Sequence, residues 1–208
     1  MSGDSCRPER AVVLVPGLWF GRPALWLLAW RLARHGLRVS LYPYRPLRQS
    51  LYEASESLAR FAASRGIRQV VGYSFGGLVV ADFCRRNPGA YGRAVTLGAP
   101  FRGSQAARRL YRCPVLRPFF GVAAPLLIRG LRGPVPPGLG IVTGSRPRGL
   151  AGCLLKGGAH DGVLRETETR LRGARDAVAL PVSHAGLVMS RATARAIIMY
   201  LAQGRFGD

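Results

Sequence analysis

Hydrophobic positions along the chain switch repeatedly between two patterns. The run AVVLVPG (Ala11 to Gly17) is continuously apolar, as a strand buried on both faces would be. Pro23 to His35 then takes a helical period. Leu25, Leu28, Ala29 and Leu32 share a face, Pro23 suits the first turn and Gly36 the stop. LRVSLYPY (Leu37 to Tyr44) returns as a strand closed by Pro43 and Pro46. From Leu47 on, Leu51, Ala54, Leu58 and Phe61 predict a helix ending near Gly66. IRQVVGYS (Ile67 to Ser74) is the next strand, followed by a helix from about Gly76 to Arg86 that stops at Asn87-Pro88. YGRAVTLGAP, GIVTGS and AVALPVSH read as three more strands. Ala185 to Gln203 reads as a last helix, with Ala194, Ile197, Ile198 and Leu201 on its buried side.

Strands alternating with helices imply parallel pairing through right-handed crossovers. The expected fold is a single α/β domain over 1–208: a three-layer sandwich around a mostly parallel sheet of about six strands. A chain of 208 residues is long enough for such a covered sheet. Phe101 to Pro137 breaks the alternation, since it lacks a strand and is rich in Pro, Arg and large apolar residues. CPVLRPFFGVAAPLLIRGLRG within it mixes apolar residues with arginines, as an interfacial lid would. The other reading is a plain crossover with Leu126, Leu127 and Ile128 buried.

Charge changes the picture only in part. Lys and Arg total 31 against 10 Asp and Glu, formally +21, and Lys156 is the one lysine. Arginine pairs with phosphate and carboxylate in bidentate fashion, so an anionic membrane surface is a conceivable partner. No run of five or six basic residues occurs, which favours arginines spread over solvated faces, and no specific nucleic acid is expected. Cys6, Cys84, Cys113 and Cys153 form neither a CxxC nor a zinc pattern, so reduced thiols and no metal are expected. The start MSGDSCRPER carries no apolar signal core, and the apolar tracts are too short to span a membrane. The expected location is cytoplasmic, with at most a peripheral contact at the inner membrane face; the oligomeric state stays open.

The chemistry concentrates at VVGYSFGG. Gly72-x-Ser74-x-Gly76 lies where a strand turns into a helix, and there the pattern has a physical meaning. A serine on so tight a turn is held in strained backbone angles, and the flanking glycines leave room for helix and strand to meet. The hydroxyl is lifted above the carboxyl edge of the sheet. The Phe75 N–H stands at the positive end of the helix, where it could bind an oxyanion. A serine nucleophile needs a base, and the chain has three histidines. His35 ends a helix and His160 lies in a glycine-rich loop. His184 follows the last strand and so emerges at the same edge as Ser74, where sites form in open α/β sheets. For the acid, Asp161 in GGAHDGVL precedes a glycine turn that could aim it at the imidazole. Asp176 begins the final strand and would lie at the opposite edge. Glu166 and Glu168 fall in a polar helix-like segment, and Asp82 in the helix after Ser74. A second oxyanion donor is expected at the Leu18 N–H, made accessible by Gly17. Trp19, Phe20 and Tyr73 are candidates for the substrate pocket.

Together these residues resemble the lipase/esterase branch of the α/β-hydrolase superfamily, over nearly the whole chain. VVLVPGLW is similar to that branch's oxyanion loop, VVGYSFGG to its nucleophile elbow and VTLGAPFRGS to its LGTPHxGS segment. HDGVL is similar to its acid loop and VSHAGLVMS to its histidine loop. The nearest members are small bacterial lipase-like hydrolases and the core of GPI-inositol-deacylase-like proteins. The resemblance implies hydrolysis of carboxylic esters of lipid-like or other small acyl substrates through an acyl-enzyme, without metal or organic cofactor. Pro16 and Tyr73 depart from the branch, which usually has histidine at both places. The chain also starts at the strand before the oxyanion loop, so a minimal version of the fold is expected. The same triad would serve a thioesterase or an acyltransferase. A basic membrane-surface or nucleic-acid binding module without catalysis is the third reading.

Overall fold

The structure, a computed structural model, describes residues 10–19, 21–134, 136–155 and 157–207. Phe20, Lys156 and the polar start with Cys6 lie outside them. The strands are β1 (Ala11–Val15), β2 (Arg38–Leu41), β3 (Gln69–Tyr73), β4 (Ala94–Leu97), β5 (Leu139–Gly144) and β6 (Asp176–Leu180). Among the described residues they form one sheet, β2-β1-β3-β4-β5-β6, with every neighbouring pair parallel. The helices are α1 (Trp26–Arg34), α2 (Leu51–Ala63), α3 (Phe75–Arg86), α4 (Gln105–Leu110), α5 (Ala124–Arg129), α6 (Glu166–Thr169), α7 (Gly186–Met189) and α8 (Arg191–Gln203). The three-layer α/β sandwich expected from the sequence is the observed architecture.

The continuous apolar runs are explained by burial on both faces. Along β1, Val13 and Val15 join Leu58, Leu78, Val79 and Phe83 in one core. Val12 and Leu14 join Leu28, Leu32, Ile197 and Tyr200 in the other. α2 and α3 therefore cover one face of the sheet, and α1 and α8 the other. A fully buried leucine such as Leu28 or Leu58 stabilises the fold by about 1.5–3 kcal/mol through removal from water. Helix starts follow local chemistry. Ser50 Oγ accepts from Glu53 N at 3.2 Å and Glu53 Oε2 accepts from Ser50 N at 2.8 Å, a capping box that opens α2.

Strand order also locates the site. The chain leaves β1 toward β2 on one side and resumes at β3 on the other. Right-handed crossovers that run in opposite directions put their helices on opposite faces. The loops after β1 and β3 thus diverge and leave a crevice between them, at the carboxyl ends of the strands.

Three expectations need adjustment. The helix predicted from Pro23 begins as a 3₁₀ turn over Arg22–Leu25 before α1. The last helix is not continuous from Ala185. Ser190 is extended (φ −85°, ψ 139°), and its Oγ accepts from Ala192 N at 3.0 Å, so it ends α7 and caps α8. The second strand stops at Leu41, and Pro43 behind it has no N–H to offer a ladder. Phe101 to Pro137 contains α4, α5 and between them a 3₁₀ segment, Pro114–Ala123, broken at Gly121. Phe120, Ala123, Ala124 and Leu127 from this stretch are buried in the α2–α3 core, while Leu126 and Ile128 are only half-buried.

Candidate active site

Ser74 joins β3 to α3 with φ 53° and ψ −122°, the one positive φ on a residue other than glycine among the described residues. Such a conformation costs about 1–3 kcal/mol and persists only where the surroundings over-determine it. Here they do. Ser74 N donates to Leu97 O at 2.8 Å, and Gly77 N donates to Ser74 O at 2.9 Å. The flanking glycines are required by contact. A Cβ on Gly72 would stand 2.4 Å from Gly76 O, and one on Gly76 would stand 2.4 Å from the carbonyl oxygens of both Val15 and Pro16. The helix could not approach β1 and β3 with side chains at these positions.

His184 arrives four residues after the end of β6. Its Nε2 lies 3.1 Å from Ser74 Oγ and its Nδ1 lies 2.7 Å from Asp161 Oδ2. A carboxylate only accepts, so Nδ1 donates and Nε2 is left to accept the serine hydroxyl. Asp161 is itself held: Oδ1 accepts from Val163 N at 2.9 Å and Leu164 N at 2.7 Å, while its carbonyl accepts from His184 N at 2.8 Å. Both residues are buried. The structure therefore brings together the three residues singled out from sequence as nucleophile, base and acid.

Tyr73 is placed differently from the expectation of a pocket residue. It is buried, with its ring 5.1 Å from the imidazole centroid and its hydroxyl donating to His184 O at 3.3 Å. Burial, and next the negative Asp161, push its phenol far above the usual range. It therefore packs the histidine in place rather than facing an open pocket. Two supporting glycines were missed in the sequence. A Cβ on Gly98 (φ 55°) would meet the His184 ring and, at 2.7 Å, Leu187 Cδ1. One on Gly144 would stand 2.8 Å from Asp161 Cβ and 2.6 Å from Val182 O. Their signal was glycine at the end of a strand, which by itself does not name the neighbour it spares.

On the oxyanion side, a Cβ on Gly17 would lie 3.2 Å from Ser74 Cβ, so the loop after β1 runs alongside the serine. Leu18 is buried in that loop, and Phe75 is the first residue of α3, where backbone N–H groups lack helical partners. Tyr44 Oη donates to Pro16 O at 2.9 Å and so ties this loop down. Trp19 is half exposed. Its Nε1 donates to Phe119 O at 2.8 Å, and its ring meets Phe120 edge to face at 5.9 Å. An open groove of about 450 Å³ beside it is lined by Leu18, Trp19, Tyr44, Arg45, Leu47 and Arg48. Phe20 lies outside the described residues.

The remaining candidates have other engagements. His35 caps α1, and His160 Nδ1 accepts from Gly162 N at 3.1 Å. Asp82 faces α2, where it accepts from Ser55 Oγ at 2.8 Å and pairs with Arg85 and Arg86. Glu168 is buried, accepts from Gln105 N at 2.5 Å and thereby anchors α4. Asp176 accepts from Phe206 N at 2.7 Å, at the start of β6 and so at the opposite end of the sheet. Among the described residues no group of three His, Cys, Asp or Glu is placed to hold a metal ion.

No family model matches the sequence, and no curated protein matches it. Solved structures do resemble the fold. The mature lipase BlEst2 of Bacillus licheniformis is 17% identical over 94% of this chain and 93% of its own, with TM-score 0.71. A hydrolase of Pseudomonas aeruginosa is 16% identical over 96% and 92%, with TM-score 0.64. An extracellular α/β-hydrolase of a Paenibacillus species is 16% identical over 91% and 97%, with TM-score 0.62. Sheet order, crossovers and these likenesses together show that the chain has the fold of the α/β-hydrolase superfamily.

Proposed function

We propose that the protein is a serine hydrolase of carboxylic esters, esterase- or lipase-like, that works through an acyl-enzyme. The observation that carries this reading is the unbroken series Ser74 Oγ, His184 Nε2, His184 Nδ1, Asp161 Oδ2, at 3.1 Å and 2.7 Å. Ser74 Oγ attacks the ester carbonyl carbon while its proton passes to His184 Nε2. Asp161 holds the imidazole in the accepting tautomer and stabilises the imidazolium that forms. The carbonyl oxygen becomes an oxyanion, bound by the Leu18 and Phe75 N–H groups; one such donor is commonly worth about 3–4 kcal/mol. Collapse breaks the bond to the alcohol oxygen, which leaves with the proton from Nε2. Water then attacks the acyl-Ser74 carbonyl while giving a proton to Nε2; collapse breaks the bond to Ser74 Oγ, which takes that proton back from Nε2, and the carboxylic acid is released.

Trp19 and the groove beside it would hold the acyl portion, with the 101–137 insertion as its lid. A thioester substrate, or transfer to an alcohol other than water, would use the same groups; rates on matched p-nitrophenyl and thioester substrates separate them. The deciding experiment is labelling with a fluorophosphonate probe. Wild type should label and turn over p-nitrophenyl esters, and Ser74→Ala should do neither. Labelling that persists in Ser74→Ala overturns the assignment, and a wild type inert to both favours a non-catalytic binding module.

A further inference from the structure

The arginines are not evenly spread. From Arg10 to Tyr52 the chain has seven arginines and no acidic residue, and from Ala177 to Gly207 it has three arginines and again none. These two stretches supply α1, α7 and α8, which pack together on one face of the sheet. The outer surface there holds an open basin of about 340 Å³ lined by Trp30, Arg31, Arg34, His35, Arg191 and Arg195. Arg31 Nη1 donates to Met189 O, which ties α1 to α7. Arg31 Nε is buried beneath the basin, so the exposed cations there are Arg34, Arg191 and Arg195. The Arg34 guanidinium lies 5.0 Å from the Trp30 ring centroid.

Beside this cationic basin the same helices present apolar groups to water. Trp26 is 64% exposed, Met189 57% and Trp30 54%, with Leu27 at 36%. Trp26, Trp30 and Arg34 are spaced four apart and so fall on one stripe of α1, opposite the buried Leu28 and Leu32. Two tryptophans left more than half exposed on the outside of a helix add little to packing within the fold.

We propose that the α1–α7–α8 face docks on a membrane containing anionic phospholipid. Trp26, Leu27, Trp30 and Met189 enter the interfacial layer, and headgroup phosphates are taken by the exposed Arg34, Arg191 and Arg195. Tryptophan at the headgroup level and arginine on phosphate are what this chemistry favours. A second copy of the chain fits poorly, because two faces without acidic residues repel each other. Nucleic acid would use the arginines but leave Leu27 and Met189 without a role. The proposal does not depend on the hydrolase reading, and its test needs no turnover.

The test is sedimentation with vesicles of phosphatidylcholine alone or mixed with phosphatidylglycerol, read together with tryptophan fluorescence. The three tryptophans are Trp19, Trp26 and Trp30, so Trp19→Phe leaves only the two on α1. Binding is expected only with phosphatidylglycerol, should weaken as salt is raised, and should bring quenching by brominated acyl chains. Each cationic side chain near an anionic leaflet is worth about a factor of five, so Arg34→Gln/Arg191→Gln/Arg195→Gln should bind roughly 100-fold more weakly. Leu27→Ser/Met189→Ser keeps every charge and should bind about ten-fold more weakly. Vesicle binding without quenching overturns the proposal, as does undiminished binding by the triple variant. Retention on an RNA homopolymer with no vesicle binding overturns it in favour of nucleic acid.

Discussion

Gly98 lies directly against His184: a Cβ at position 98 would stand 3.1 Å from both Cε1 and Nδ1 of the imidazole. The positive φ of 55° adds a second reason for glycine, because side chains rarely adopt it. Gly98→Ala should therefore move the histidine rather than only loosen the fold. A shift of about 1 Å at such a group costs on the order of 100-fold in rate. The expected result is a fall in kcat on a p-nitrophenyl ester with little change in KM; an unchanged kcat would show that the ring has room to spare.

Asp161→Asn tests the tautomer. The amide oxygen can replace Oδ1 as acceptor for Val163 N and Leu164 N, which turns the NH2 group toward His184 Nδ1. That nitrogen must then accept, so Nε2 carries the hydrogen and no longer takes the serine proton. The expected loss in kcat is about 10⁴-fold, with the melting temperature nearly kept. A loss below about ten-fold would place the acid elsewhere.

Two phenols predict an alkaline limit to stability. Tyr91 Oη donates to Pro137 O at 2.8 Å and Tyr200 Oη to Gly138 O at 2.9 Å, so both fasten the entry to β5. Each is pushed up to about 12, chiefly by burial. Their unfolded value is about 10, so the folded state favours the neutral phenol. That stabilisation is complete below pH about 10 and is lost as the pH rises toward about 12. Urea midpoints should fall across this window. Tyr91→Phe/Tyr200→Phe should make the fall shallower, the remainder coming from the buried phenols of Tyr42, Tyr44 and Tyr73, and should lower the midpoint at neutral pH.

The insertion gives a prediction about substrates. Its 3₁₀ segment leaves Val115, Phe119 and Val122 exposed while Phe119 O and Phe120 hold Trp19. As a lid it would supply apolar surface to a long acyl chain and little to a short one. Val115→Ser/Phe119→Ser should reduce kcat/KM on long-chain p-nitrophenyl esters by about ten-fold and leave the acetate nearly unchanged. Equal losses on both would leave the stretch a crossover only.

Much of the fold was legible because β1, β3, β4 and β5 are buried on both faces and so read as unbroken apolar runs. α2 was legible from its stripe, and the turn at Ser74 from glycines that no other residue could replace. Boundaries set by single side chains were harder. Ser190 divides the last helix by capping, and a serine in a helical pattern does not announce which way its hydroxyl turns. Tyr73 reads as a neighbour of the nucleophile, yet its direction depends on which side of β3 the histidine loop returns. The segregation of arginine is not legible in the sequence either. α1 and α8 are more than 150 residues apart in the chain, and a count of charges does not record which helices pack side by side.

By itself the sequence determined the α/β alternation, the six strands and a serine forced above the sheet edge, because period and glycine placement are local properties. Only the tertiary structure decided the distances from Ser74 to His184 and Asp161, the place of Gly98 behind the imidazole, and the union of two acid-free stretches into one face. Each of these depends on crossovers that bring distant segments to the same edge or the same layer, and no local pattern encodes that meeting.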